Sequence, residues 1–176
     1  YGYQDALSGQ WQPSAIEARR GDPDIVQALS SGSGLPSKLF PHDVSRLILK
    51  LYLPRRAPIM AANLRKAHKA GISVVMGTDA GNIGTLHGPS IHREMAMMVQ
   101  AGMLPMHILQ AATINGAKAL NRESELGALS TGRLADMIVL DKNPLEDIAN
   151  LAALHRVIKD GVVFDPDELM RSVGKH

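Results

Sequence analysis

ISVVMGTDAG, running from Ile72 to Gly81, is the stretch that decides how this chain folds. Its opening residues are apolar and β-branched, too few for a helix of their own, and bounded by Gly71 and Gly77. That pattern predicts a strand over Ile72 to Gly77 buried on both faces. Upstream, Ile59 to Ala70 is rich in Ala and Lys, with apolar residues at helical spacing, and Gly71 ends it as a C-cap. A helix, a glycine and a buried strand in succession make an α/β unit.

Asp79 stands just past this strand. The carboxyl end of a buried strand faces the opening of an α/β fold, where ligands bind. An ionised carboxylate there can ligate a hard or borderline cation or accept a proton from metal-bound water. An Asp in the same place can also close the loop through an Asx turn, and residue type and position leave both roles open. Gly77, Gly81 and Gly84 match neither GxGxxG nor a Walker A motif, so a phosphate cradle has little support. His87 lies in the loop, where an imidazole either contacts substrate or makes a structural hydrogen bond. His92 follows five residues later across a helix start, a spacing unlike that of helical zinc pairs, and reads as a packing or capping residue.

Outward from this loop, Pro89 and Pro105 sit where first helical positions belong, ahead of IHREMAMMVQAG and of MHILQAATINGAKAL, the latter one or two short helices. Met95, Met97, Met98, Met103 and Met106 fall on these helices and are expected to fill core gaps. Asp43 to about Leu53 predicts a further helix that Pro54 and Pro58 interrupt. Residues 1 to 42 mix Gly, Ser, Pro and charge and predict irregular surface structure, most linker-like from Ser31 to Ser37. Near Asn121 the texture changes: a turn around Ser130 to Gly132, a strand from Asp136 to Leu140, a hairpin over Asp160-Gly161, and a closing helix capped by Asp165 with Pro166 first. The division expected is residues 1–120 and residues 121–176.

The chain's 176 residues are 45% hydrophobic and 20% charged, the composition of a folded domain with a sizeable core. Net charge is +2 and aromatic residues are 3%, so neither a basic nucleic-acid face nor a base-stacking platform is implied. No apolar run approaches the roughly 20 residues of a membrane span, and the opening residues lack the pattern of a secretory signal. The absence of cysteine rules out disulfides and a cysteine nucleophile and leans toward a cytoplasmic location. Any metal must be held by His, Asp or Glu.

Three blocks now form a pattern: GISVVMGTDAGNIGTLHGPSIHREM, AGMLPMHILQAATINGAKAL and LGALSTGRLADMIVLDKNPLEDI. In this order they resemble the C-terminal portion of the amidohydrolase superfamily, in particular its imidazolonepropionase-like members, over roughly residues 59 to 165. The resemblance implies that Asp79 follows the eighth strand of a metal-dependent (β/α)8 barrel. It further implies that Asp79 ligates a divalent metal, zinc foremost, and shuttles the proton of the attacking water. The GRLADMIVLD block resembles strands of a small β-sandwich beside that barrel.

The family's other ligands, a His-x-His pair, a Lys or Glu and two single histidines, lie on earlier strands for which this chain has no counterpart. A complete barrel takes roughly 250 residues. The fold class expected is therefore α/β, the C-terminal part of a TIM-like barrel plus sandwich strands. The function expected is hydrolysis of a C–N bond in a small-molecule substrate. The partner expected is the remaining N-terminal part of the hydrolase, with self-association also open. A non-catalytic, partner-binding remnant or a subunit of a split hydrolase is the rival reading.

Overall fold

A computed structural model describes residues 5–6, 10–31 and 42–173, the side chains of 42–55 excepted. The described residues form seven helices longer than one turn, one 3₁₀ segment and one three-stranded sheet. They fall into two compact units: Tyr1–Lys66 with Thr78–Glu94, and Ala67–Gly77 with Met95–His176.

In the first unit, α1 (Ala15–Arg20) and α2 (Pro23–Ser31) occupy a region expected to be irregular. Ser14-Ala-Ile-Glu17 explains the first. Ser14 Oγ accepts from the Glu17 amide, and the Glu17 carboxylate accepts from the Ser14 amide, a closed capping box. Asp22 caps α2 by accepting from the amides of Asp24 and Ile25. A small core of Ala6, Trp11, Leu29 and Leu86, flanked by Val26 and Ile83, holds the unit together. Most of the linker-like stretch from Ser31 to Ser37 lies outside the described residues.

Helix α3 (His42–Lys69) runs 28 residues without a break, where two helices parted at Pro54 and Pro58 were expected. A proline inside a helix removes one hydrogen bond and bends the axis, and the helix continues where the residues on both sides favour it.

In the second unit, Gly71 ends α3 as predicted. At φ +75° it donates to His68 O, and Ile72 donates to Ala67 O, a Schellman motif. The same paired bonds close α4 (Ser90–Gln100) at Gly102 and α6 (Ile114–Ala119) at Asn121. Helix α5 (Pro105–Ala112) begins on Pro105 as expected. Met95, Met98 and Met103 are buried, as are Ile108 and Ala111, whereas Met106 is exposed. Complete burial of Ile108 is worth about 1.5–3 kcal/mol.

The stretch from Ile72 to Gly77 differs from expectation. It carries no regular secondary structure, and Ile72 and Val75 are 61% and 48% exposed. A strand needs a neighbour to take its alternating amides and carbonyls, and no strand lies beside it among the described residues. Beyond the Ile72 bond that closes α3, the Met76 amide donates to Ala111 O at 3.1 Å, and Asn115 Nδ2 donates to Val74 O at 2.9 Å.

Downstream, β1 (Met137–Leu140), β2 (Leu154–Lys159) and β3 (Val162–Phe164) form an antiparallel sheet in the order β1-β2-β3. Asp160 and Gly161, at φ +52° and +79°, make the two-residue hairpin turn that the sequence predicts. A 3₁₀ segment (Ile148–Ala152), capped by Asp147, precedes β2. Asp165 accepts from the amides of Asp167 and Glu168 to start α7 (Pro166–Val173). The described residues are thus a mixed α/β structure, and no helix among them is long and apolar enough to cross a membrane.

Candidate functional site

Asp79 sits at φ +53°, in the left-handed region, two residues past Gly77. Its side chain is exposed, and one carboxylate oxygen accepts from Asn82 Nδ2 at 3.0 Å. The backbone repeats the tie: the Asn82 amide donates to Asp79 O, Thr85 to Asn82 O, and Gly81 to Thr85 O. Asp79 therefore both shapes the loop and presents a carboxylate to solvent. A left-handed conformation at a non-glycine residue is uncommon and clusters at functional turns.

His87, also exposed, returns to this loop. Its imidazole lies against Gly81, with Nε2 3.4 Å from where a Cβ on Gly81 would stand. That is ordinary contact distance, so the requirement for glycine at Gly81 comes from its φ of +97° rather than from the ring. The structure thus brings an imidazole onto the loop that carries Asp79.

The far end of the loop is anchored by residues the sequence reading passed over. The Leu86 amide donates to Ser90 Oγ at 2.8 Å, and Ser90 Oγ donates in turn to Glu17 Oε1 at 3.3 Å. Arg93 grips the same carboxylate through Nε at 3.2 Å and a terminal nitrogen at 2.6 Å, and also donates to Gln12 O. Its guanidinium stands 5.8 Å from the Trp11 ring centre, within cation–π range. Glu17 is fully buried. Burial pushes its carboxyl up, but hydrogen bonds from Arg93 and Ser14 outweigh that and hold it below the usual carboxylate value. The signal for this residue was the Ser14-x-x-Glu17 pattern, which foretells a cap but not the partner 76 residues away.

Two neighbours on α4 are also shifted. Burial pushes the His92 imidazole down against the opposing charge of Glu17, and burial pushes the Glu94 carboxyl up. His92 stays on the helix as a partly buried residue, consistent with packing.

Among the described residues, no three His, Asp or Glu side chains come together to hold a metal ion. A catalytic zinc takes three protein ligands and keeps one open position. Asp79, an exposed hard oxygen donor, suits one of those positions, and the described residues supply no complete set.

The amidohydrolase family model matches residues 39–164, which include the Asp79 loop, the helices after it and the sheet. An imidazolonepropionase from Geobacillus sp. (strain WCH70) is 37% identical over 109 residues, covering 58% of this chain and 25% of the relative. Among solved structures, a Xaa-Pro dipeptidase with methionine bound in its active site superposes with a TM-score of 0.57 at 27% identity, over 93% of this chain and 32% of that one. Molinate hydrolase superposes with a TM-score of 0.57 at 34% identity, over 65% and 27%. The chain spans about a quarter to a third of the length of these relatives. With the family model matched over most of its residues, the chain belongs to the amidohydrolase family.

Proposed function

We propose that this chain is the C-terminal part of a metal-dependent hydrolase that cleaves a C–N bond in a small molecule: an amide, a cyclic amide or a dipeptide-like compound. The carrying observation is the exposed Asp79 carboxylate, fixed in a left-handed loop inside the region that matches the family. On this reading residues 1–120 complete the end of a (β/α)8 barrel, with Ile72 to Gly77 as its last strand, and residues 121–176 contribute sandwich strands. The exposure of Ile72 and Val75 supports it, because a barrel strand's two faces are covered by side chains of the interior layers and by the outer helices. The chain's span of a quarter to a third of its relatives supports the rest.

Asp79 then has two tasks. It supplies one oxygen to the metal site, and it takes the proton of the attacking water and returns it to the leaving nitrogen. A divalent metal, zinc foremost, supplies Lewis acidity and lowers the pKa of water to about 7. His87, lying over Gly81, orients the substrate. The dipeptidase among the relatives supports a dipeptide-like substrate.

The lack of a three-ligand cluster among the described residues favours a second reading, a partner-binding subunit that keeps the scaffold without the chemistry. Turnover separates them. Dipeptides, N-acyl amino acids and cyclic amides are offered to the chain alone and to the chain joined to the barrel residues N-terminal to it. The proposal expects chelator-sensitive hydrolysis only in the joined form. Turnover by neither form, with metal supplied, supports the partner-binding subunit. Equal turnover by the chain alone overturns the need for outside ligands.

A further inference from the structure

Two histidines left unassigned by the sequence reading meet in the second unit. His68 is in the last turn of α3 and His107 in the first turn of α5, yet His68 Nε2 and His107 Nδ1 are 3.1 Å apart, with ring centres 4.6 Å apart at 54°. The pair opens onto a cavity of about 270 Å³, lined also by Ser73, Gln110 and Asn115. We infer that His68 and His107 form a two-imidazole clamp for a divalent transition metal of the zinc or copper kind, with waters in the cavity completing its shell.

Geometry comes first. Two nitrogens bound to one zinc at 2.0–2.1 Å with a near-tetrahedral angle stand about 3.3 Å apart, close to the observed 3.1 Å. Imidazole nitrogen is the donor that suits zinc, copper and nickel. A water's share of liquid volume is about 30 Å³, so the cavity holds the two or more waters that a two-ligand site needs.

The clamp is also held in place before any ion arrives. The His68 carbonyl accepts from the Gly71 amide, fixing the end of α3. Helix α5 is anchored by the fully buried Ile108, and its Ala111 carbonyl accepts from the Met76 amide of the segment that leaves α3. The α6 residue Asn115 binds that segment again at Val74. A clamp so fixed loses little freedom on binding. His68 stands at the C-terminal end of a 28-residue helix, where the helix dipole favours positive charge. The ion takes the place of the hydrogen bond between the two nitrogens, with each ring carrying its proton on its other nitrogen.

The test is a zinc titration of the full chain, followed by ¹⁵N imidazole NMR, with calorimetry on His68→Gln and His107→Gln. Zinc is expected to shift the ring nitrogens of both His68 and His107 together in the wild type. Each variant, shown folded by circular dichroism, is expected to bind at least about tenfold more weakly. Shifts confined to His87, or wild-type affinity in either variant, overturn the clamp. The NMR readout needs no substitution, so a variant that fails to fold leaves the test intact.

Discussion

Arg93 and Glu17 are 76 residues apart in sequence and 2.6 Å apart in space. Their ion pair joins the capped N-terminal helix to the helix that follows the Asp79 loop, and through Ser90 it reaches the backbone of Leu86. The loop is therefore secured at one end by its own turn and at the other by a buried charge pair.

Removing Glu17 strips Arg93 of its nearest carboxylate and leaves it the Gln12 carbonyl and, at 3.9 Å, Asp5. Glu17→Ala is expected to lower folding stability by about 3 kcal/mol, the low end for such losses because Arg93 keeps some contact with water. Urea unfolding monitored at Trp11 measures it, and a loss below about 1 kcal/mol contradicts the anchoring role.

Acid is expected to erode stability in two steps. Folded His92 resists protonation, so below about pH 6.5 the unfolded chain takes up the proton first and stability falls until the folded value is passed. Glu17, held low when folded, contributes stability that is full above about pH 4.3 and lost as pH drops through its folded value. Glu94, raised by burial, acts in the opposite sense: its contribution is present below about pH 4.3 and lost as pH rises through its folded value. Unfolding midpoints from pH 3 to 8 check this. His92→Gln should flatten the upper step, and Glu17→Gln should start lower at neutral pH and converge on the wild type in acid. Curves that run parallel throughout contradict the assignment.

At the hairpin, a Cβ added to Gly161 meets nothing within 4 Å, so Gly161→Ala isolates the cost of its positive φ. That cost is about 1–2 kcal/mol, while Asp160→Gly, which relieves the same strain, should be nearly neutral. Thermal melts of the two variants decide it, and equal Tm values would deny the turn its part in registering β2 on β3.

How much of this was legible beforehand follows from the range of each signal. The glycine that ends α3, Pro105 at the start of α5, the Asp160-Gly161 turn and the Asp165 cap are short-range devices, and each was read correctly. The residue types from Ile72 to Gly77 suit a buried strand, but pairing is a property of neighbours. Glu17 was missed for the same reason: Ser14 is local, whereas Arg93 is not. His68 and His107 carry no spacing pattern at all and meet only because two helices and the segment between them fold together.

The exposed apolar side chains of Ile72 and Val75 predict self-association of the isolated chain, since a segment outside any sheet leaves them open to another copy. Light scattering should show oligomers that Ile72→Lys with Val75→Lys reduces. A monodisperse, cooperatively melting wild-type monomer counts against the truncated-barrel reading.

The central claim rests on Asp79, and replacing it with asparagine tests that claim most directly. Asn keeps the size, one oxygen and the capacity to form the loop turn, but it cannot take a proton. kcat and bound metal per chain are to be measured together, in wild type and Asp79→Asn, with this chain joined to the N-terminal barrel residues that the proposal calls for. The account predicts a fall in kcat of ~10²–10⁴-fold with a smaller loss of metal. Near-wild-type kcat with full metal content would contradict it, leaving Asp79 as a turn-forming residue and removing it from the chemistry.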